Sequence, residues 1–196
     1  FGSNNRFEIG AGSTTDGNVV VQGGGTNNVL ALGGATDGSV NIDNLVASHT
    51  GFTAYEKTGS STWTLSGPRN QNWSIREGTL TGNTASMAGN LTFATGAGTR
   101  GVVFNQGGGG IYSRTISGDG NFTLTGGGSL TLTNEQSYTG TTTVNAGTLR
   151  MGAANALASS SGIGLQGSST WDLDGYNQTV KRLEGDAGTA VNLGAA

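Results

Sequence analysis

Gly126 to Gly152 reads GGGSLTLTNEQSYTGTTTVNAGTLRMG. Two short Leu/Val/Thr runs, each closed by Gly or Asn, lead into the phrase Val144-Asn145-Ala146-Gly147-Thr148-Leu149. A diverged copy lies upstream, at Ser74-Ile75-Arg76-Glu77-Gly78-Thr79-Leu80, so that Gly78 answers to Gly147. Self-similarity of this kind marks a chain built by stacking copies of one unit, because a single copy cannot bury its own apolar face.

The composition of the whole chain agrees. Of 196 residues, 38 are Gly, one is Pro and none is Cys, and only 11% are charged. The polar residues are chiefly Thr, Ser and Asn, interleaved with Val, Leu and Ile. That mixture favours strands joined by tight turns, since Gly and Asn reach positive φ cheaply. The glycines keep no three-residue period, which excludes collagen. The net charge is −3 and only Lys181-Arg182 are adjacent basic residues, so no electrostatic footprint for nucleic acid is present. No apolar run approaches the roughly 20 residues needed to span a bilayer as a helix. The first residue is Phe1, which reads as an internal segment of a longer chain. The lack of Cys suits a chain that stays unfolded in an oxidising compartment.

Strand patterns recur along the chain. They lie at Val19-Val20-Val21, Val29 to Leu32, Ser39 to Ile42, Thr62 to Leu65, Leu91 to Phe93, Val102 to Phe104, Asn121 to Leu124, Ser129 to Leu132, Thr142 to Val144, Thr170 to Leu173 and Val191 to Leu193. Many alternate apolar and polar residues, the pattern of a strand with one face inward. Helical periodicity is lacking, and the best helical stretch, Ala153 to Leu157, is long enough only for a turn. Asp16-Gly17 recurs as Asp37-Gly38, and Phe104-Asn105-Gln106 recurs as Tyr176-Asn177-Gln178. Together with the Gly-Thr-Leu phrases, these spacings predict a unit of about 70 residues made of three coils of about 20–25 residues. Trp63, Trp73, Trp171, Phe93, Phe104 and Phe122 are expected inside as fillers of the coil interior.

The run from Leu124 to Gly152, with Ser-Leu-Thr-Leu-Thr-Asn, Ser-Tyr-Thr-Gly and Val-Asn-Ala-Gly-Thr-Leu in order, resembles the passenger-associated transport repeat, also called the autotransporter-associated β-strand repeat. Ser168 to Val180, reading SSTWDLDGYNQTV, is similar to the stretch that often follows it. The resemblance covers Thr115 to Leu183, about a third of the chain. Residues 1–114 share its texture, and Asn70-Gln71-Asn72-Trp73 stands where the Ser-Tyr-Thr-Gly phrase is expected. The resemblance implies the passenger of a Gram-negative type V secretion system, a right-handed parallel β-helix threaded through an outer-membrane β-barrel and folded outside the cell. It also implies a secreted or cell-surface location, and a frequent association with adhesins and virulence.

Motifs that carry chemistry elsewhere read differently here. Gly96-Ala97-Gly98-Thr99-Arg100-Gly101 satisfies G-x-G-x-x-G, with Asp119 further on, but a strand-like Val102-Val103-Phe104 follows where a dinucleotide site needs a helix. Asp172-Leu173-Asp174-Gly175 begins like a calcium loop, yet Asn177 falls where Gly is required and Glu184 falls one residue late. Asp172 and Asp174 are instead expected on the outward face of a strand, with Trp171 and Leu173 inward. His49 is the single histidine and no G-x-S-x-G elbow accompanies it. Carboxylates do not cluster along the chain, although a solenoid can bring distant ones together. Thr-x-Thr recurs at Thr62/Thr64, Thr79/Thr81, Thr123/Thr125, Thr131/Thr133 and Thr141/Thr143. Stacked into a flat ladder such pairs would make an ice-binding face, but their irregular intervals favour simple strand propensity.

The expected protein is therefore all-β, a single-stranded right-handed parallel β-helix (β-solenoid) with no substantial helix. It is one continuous segment, with diverged coils over 1–114, the recognisable repeat over 115–183 and a further coil over 184–196. The expected role is a non-catalytic stem that promotes translocation and folding of a passenger. Its partners would be the outer-membrane barrel of the parent chain and a host glycan, a host protein or a second copy, without nucleic acid. No catalytic, cofactor or metal residues are expected. The alternatives are a direct glycan- or receptor-binding adhesin surface and a polysaccharide-cleaving β-helix enzyme.

Overall fold

The computed structural model describes residues 3–13, 19–20, 25–157, 160 and 162–194. Val21 and the Asp16-Gly17 pair of the sequence reading lie outside them. The chain winds into an all-parallel β-solenoid of about 9 turns. Strands stack into a seven-stranded first sheet from Arg6–Gly10 to Ser137–Tyr138, an eight-stranded second sheet from Gly38–Asn41 to Leu183–Gly185, and a five-stranded third sheet from Gly109–Tyr112 to Ala190–Asn192. Every pairing among them is parallel and joins one turn to the next, so each turn depends on its neighbours for its backbone hydrogen bonds.

The rows that face inward form the core. In the first sheet Leu30, Tyr55, Trp73, Leu91 and Ile116 are in register, and beside them Leu32, Lys57, Ile75, Phe93 and Gly118. In the second sheet Trp63, Leu80, Val102, Phe122, Thr142 and Ile163 succeed one another. In the third, Leu130, Leu149 and Trp171 do so. Trp63, Trp73, Trp171, Phe93, Phe104 and Phe122 are all buried, as their size and apolarity require. At the C-terminal turn the rows continue through Leu183 and Val191, which remain exposed.

Two polar side chains sit on these inward rows. Thr142 is satisfied by Tyr138, whose hydroxyl lies 2.5 Å from its Oγ1, and by Ser160 Oγ at 3.0 Å, which in turn reaches the carbonyl of Gly140 at 3.0 Å. Lys57 is fully buried between Leu32 and Ile75. Its ammonium donates to the carbonyls of Thr58 and Gly59 at 2.7 Å and of Glu77 at 3.1 Å, the last from the following turn. The adjacent Glu56 points outward yet is only 5% exposed, because Arg6 and Arg76 close over it at 2.5 and 2.6 Å. Burial raises the Glu56 carboxyl, but the hydrogen bonds from Arg76 and Arg6 outweigh it and hold the group below the usual carboxylate range.

The Gly-Thr-Leu phrase encodes a corner. Gly147 has φ +81° and Gly78 φ +75°, both in the left-handed region. A Cβ on Gly147 would lie 2.1 Å from the carbonyl oxygen of Gly128, and one on Gly78 would lie 2.4 Å from that of Gly59. Each glycine thus lets one turn settle on the corner of the turn before it. The two corners nevertheless open onto different faces. Thr79–Leu80 enter the second sheet, whereas Thr148–Leu149 enter the third. The predicted three-coil unit is corrected accordingly. Leu80 is in register with Val102, Phe122 and Thr142, whereas Leu149 is in register with Leu130 and Trp171. Phe104 and Tyr176 are not equivalent either, since Phe104 lies in a second-sheet strand and Tyr176 follows a turn. The cause is variable turn length. Thr62 pairs with Thr79, whereas Val29 pairs only with Ala54, a markedly longer step along the chain.

The longer turn contains a short helix, the only one among the described residues, Ile42–Ser48, which begins where the sequence pattern extends a strand to Ile42. Asn41 caps it, its side chain accepting from the Asn44 N–H at 3.1 Å, and Ile42 and Leu45 turn inward. Ala153 to Leu157 form turns, with Ala156 and Leu157 buried.

Replacing Gly147 by Ala should lower stability by about 2 kcal/mol or more, from left-handed strain plus the clash with Gly128. Gly107→Ala, with nothing within 4 Å of the added Cβ, should stay within about 0.5 kcal/mol in the same denaturation measurement. A second expectation concerns pH. Burial pushes the Lys57 ammonium from its ordinary 10.5 down to about 8, against weaker pulls from Glu77, Asp37 and Glu8. Between these values the unfolded chain holds a proton that the folded chain has released, so stability rises with pH across the window. Thermal unfolding at about pH 7.5 and 9.5 should show this gain in the wild type and lose it in Lys57→Met. An equal gain in both would refute the assignment to Lys57.

Candidate functional site

At the corners of the solenoid, side chains of one turn hold the backbone of the next. Gln136 is fully buried beneath the Ser-Tyr-Thr-Gly phrase. Its Oε1 accepts from the Ile116 N–H at 2.7 Å, and its Nε2 donates to the carbonyls of Asn134 at 2.8 Å and Arg114 at 3.2 Å. Asn121 Oδ1 accepts from the N–H of Thr141 at 2.9 Å and from its hydroxyl at 3.0 Å. Asn90 Oδ1 takes the Thr115 N–H at 3.1 Å, and Asp37 Oδ1 takes the Thr62 N–H at 2.7 Å. In each case the acceptor enters from the preceding or following turn and satisfies a donor that a corner would otherwise strand. None of these roles is legible from sequence. An amide in a Gly/Ser/Thr-rich loop looks the same whether it clasps a neighbour or faces water.

The glycine-rich motif is part of the same scheme. Arg100 opens the strand Arg100–Asn105, so a strand rather than a helix follows the loop. Its guanidinium turns back to the carbonyl of Gly96 at 2.9 Å and forward to the carbonyl of Asp119 at 2.8 Å and its carboxylate at 3.2 Å. The loop and the Gly118-Asp119-Gly120 turn are pinned to each other, and the backbone amides do not gather at a helix N-terminus as a pyrophosphate requires.

Asp172 is on the outer face of the third sheet, in register with Arg150, whose Nε donates to it at 2.9 Å. Its other oxygen accepts from the Asp174 N–H at 3.2 Å. Trp171 faces inward, but the strand ends at Asp172 and Asp174 turns with φ +48°, which corrects its placement on a strand. Among the described residues no three metal-ligating side chains come together. His49 is buried, with Nδ1 2.8 Å from Ser48 Oγ and 3.2 Å from the Leu45 carbonyl, and its ring stacks on Phe7 at a centroid distance of 5.5 Å. Ser48 also donates to the Asn44 carbonyl at 2.9 Å, as a helix-terminal serine does.

The threonine pairs are less scattered than their intervals suggest. Thr62/Thr64 and Thr79/Thr81 are in register on the outer face of the second sheet. The next strand interrupts them with Gly101 and Val103, and the one after presents Asn121 and Thr123. Thr141/Thr143 extend the rows, while Thr131 lies on the third sheet. Near this end a shallow groove of about 310 Å³ is lined by Thr141, Thr143, Gly164, Gln166, Arg182 and Glu184. Arg182 and Glu184 pair with each other beside it.

Comparison with known proteins points to the segments that the corner phrases delimit. The passenger-associated-transport-repeat family model matches residues 56–81 and 117–151. The second match spans the Gln136 clasp and the Gly147 corner, and the first spans Lys57 and the Gly78 corner. No curated protein and no solved structure matches the chain. Two segments of this β-solenoid, one on each side of its middle turns, are thus similar to the passenger-associated transport repeat.

Proposed function

We propose that the chain is a non-catalytic stem of an autotransporter passenger, displayed or released outside a Gram-negative cell, and that its repeats promote translocation and stepwise folding. The observation that carries this reading is the coincidence of the repeat matches with corners whose donors are satisfied only by an adjacent turn. A turn that emerges from a narrow pore finds its hydrogen-bond acceptors and its apolar cover on a turn already folded. It therefore folds by addition, and once added it resists being drawn back. Few charges and a single proline leave the unfolded chain easy to thread. The partner implied is the outer-membrane barrel of the same parent chain, and an adhesin elsewhere in that parent is the natural cargo of such a stem.

Deleting residues 117–151 from the full parent protein should reduce the passenger that reaches the cell surface while the barrel still inserts. Normal display with lost adhesion would move the function to a binding surface on this segment instead. A peptide of one turn, such as residues 117–138, should be unfolded by circular dichroism in water. A folded peptide would remove the basis for addition-driven folding.

A further inference from the structure

The turns that contain the first repeat copy, like those before them, lack a strand in the third sheet. Each contributes a strand to the first and second sheets, Ala54–Lys57 and Thr62–Ser66, then Trp73–Ile75 and Gly78–Gly82, but the third sheet begins only at Gly109. Between them runs Gly67 to Asn72, with the single proline, Pro68. Among the described residues eight buried side-chain polar atoms lack a partner, and five of them fall here: Thr58 Oγ1, Ser61 Oγ, Arg69 Nε, Gln71 Oε1 and Trp73 Nε1. The inward row at this point carries the Lys57 ammonium in place of an apolar side chain.

We infer that the boundary between the turns of Ala54–Ser66 and Trp73–Gly82 is a built-in weak joint, at which the solenoid opens into two cooperative units under native conditions.

Each of these features lowers the cost of parting these two turns, against the ion pair of Arg76 with Glu56 that spans the joint at 2.6 Å. An unpartnered buried polar atom regains water when the joint opens, so opening returns part of its desolvation penalty. Against the C-terminal half, whose turns carry three strands, this joint and the turns before it have fewer inter-turn hydrogen bonds to break, and the unpartnered atoms and Lys57 single it out among them. The Lys57 ammonium, whose acceptors are split between Thr58 and Gly59 on one turn and Glu77 on the next, regains full hydration. The carboxylates whose charge acts on it come from three other turns, Glu8, Asp37 and Glu77, and their attraction does not offset its burial. By contrast, the inward rows of the second copy carry Leu130, Leu132, Val144, Leu149 and Met151, and their single polar member, Thr142, is fully partnered. Solenoids with nearest-neighbour coupling separate at their weakest interface, because no long-range contacts bridge it. The inference goes beyond the stem reading and does not require it.

Native-state hydrogen exchange of the whole chain, read by mass spectrometry at neutral pH over increasing denaturant, tests it. Amides of strands from Val29 to Ser66 should exchange through an opening that leaves those from Leu91 to Leu165 protected, with rates differing by about tenfold or more after correction for intrinsic exchange. Lys57→Met should narrow that gap. If Lys57→Met does not fold, raising the wild type to about pH 9.5, where the amine is neutral, should narrow the gap in the same way. Simultaneous exchange of the two halves in the wild type would overturn the inference. So would a gap that neither the substitution nor the pH change alters.

Discussion

The structure depends on one constraint: every turn must place its strands in parallel register on its neighbours, because it cannot satisfy its own backbone. A hairpin protein closes hydrogen bonds between segments adjacent in sequence. Here the partner of each residue lies a full turn away, as Thr79 does for Thr62 and Ala54 for Val29. Register across that distance is held by the inward rows, where a slip of one residue would turn every apolar side chain to water. It is also held by the corners, where left-handed glycines such as Gly78 and Gly147 allow backbones to approach within the space a Cβ would fill. Amide clasps such as Gln136 and Asn121 then complete the hydrogen bonding that the corners interrupt.

The strands with a clean alternation are legible from sequence, and Thr62-Trp63-Thr64-Leu65 is the clearest case: threonines outward, Trp63 and Leu65 inside. Ala54-Tyr55-Glu56-Lys57 is not, because neighbouring charges fall on both faces and neither face reads as apolar. Glu56 is accommodated outside by two arginines and Lys57 inside by three carbonyls, arrangements drawn from other turns as distant in sequence as Arg6. The helix Ile42–Ser48 is hidden for a different reason. Its 7 residues, with two inward apolar positions, carry too little periodicity to distinguish from a strand followed by a loop, and only the Asn41 cap marks its start.

Repetition is legible as texture but not as geometry. The Gly-Thr-Leu phrases look equivalent, and both build left-handed corners, yet one leads to the second sheet and the other to the third. What the phrase specifies is a local event, the change of direction and the first residues of a strand. Its place around the solenoid is set by how much chain the preceding turns have used. The same variation hides the alignment of Thr62/Thr64 with Thr79/Thr81, whose sequence intervals to the later pairs are irregular although the outward rows continue.

This division between local code and accumulated position bears on how such a chain tolerates change. Adding or removing residues in a connecting segment, as the helix at Ile42–Ser48 does, lengthens one turn without altering the register of strands on either side of it. Substituting an inward residue or a corner glycine alters two interfaces at once, since each turn is both the support of one neighbour and the cover of another. A solenoid of this kind should therefore tolerate change on its outward rows and loops more readily than at its corners and inward rows. The two matched segments share Gly-Thr-Leu at their corners, whereas Asn70-Gln71-Asn72-Trp73 stands in the first where Ser-Tyr-Thr-Gly stands in the second. Around that first phrase the buried Gln71 Oε1 and Trp73 Nε1 lack partners. A solenoid can carry such a defect because stability is the sum of local interfaces, and a weak one lowers the local term without unravelling the rest.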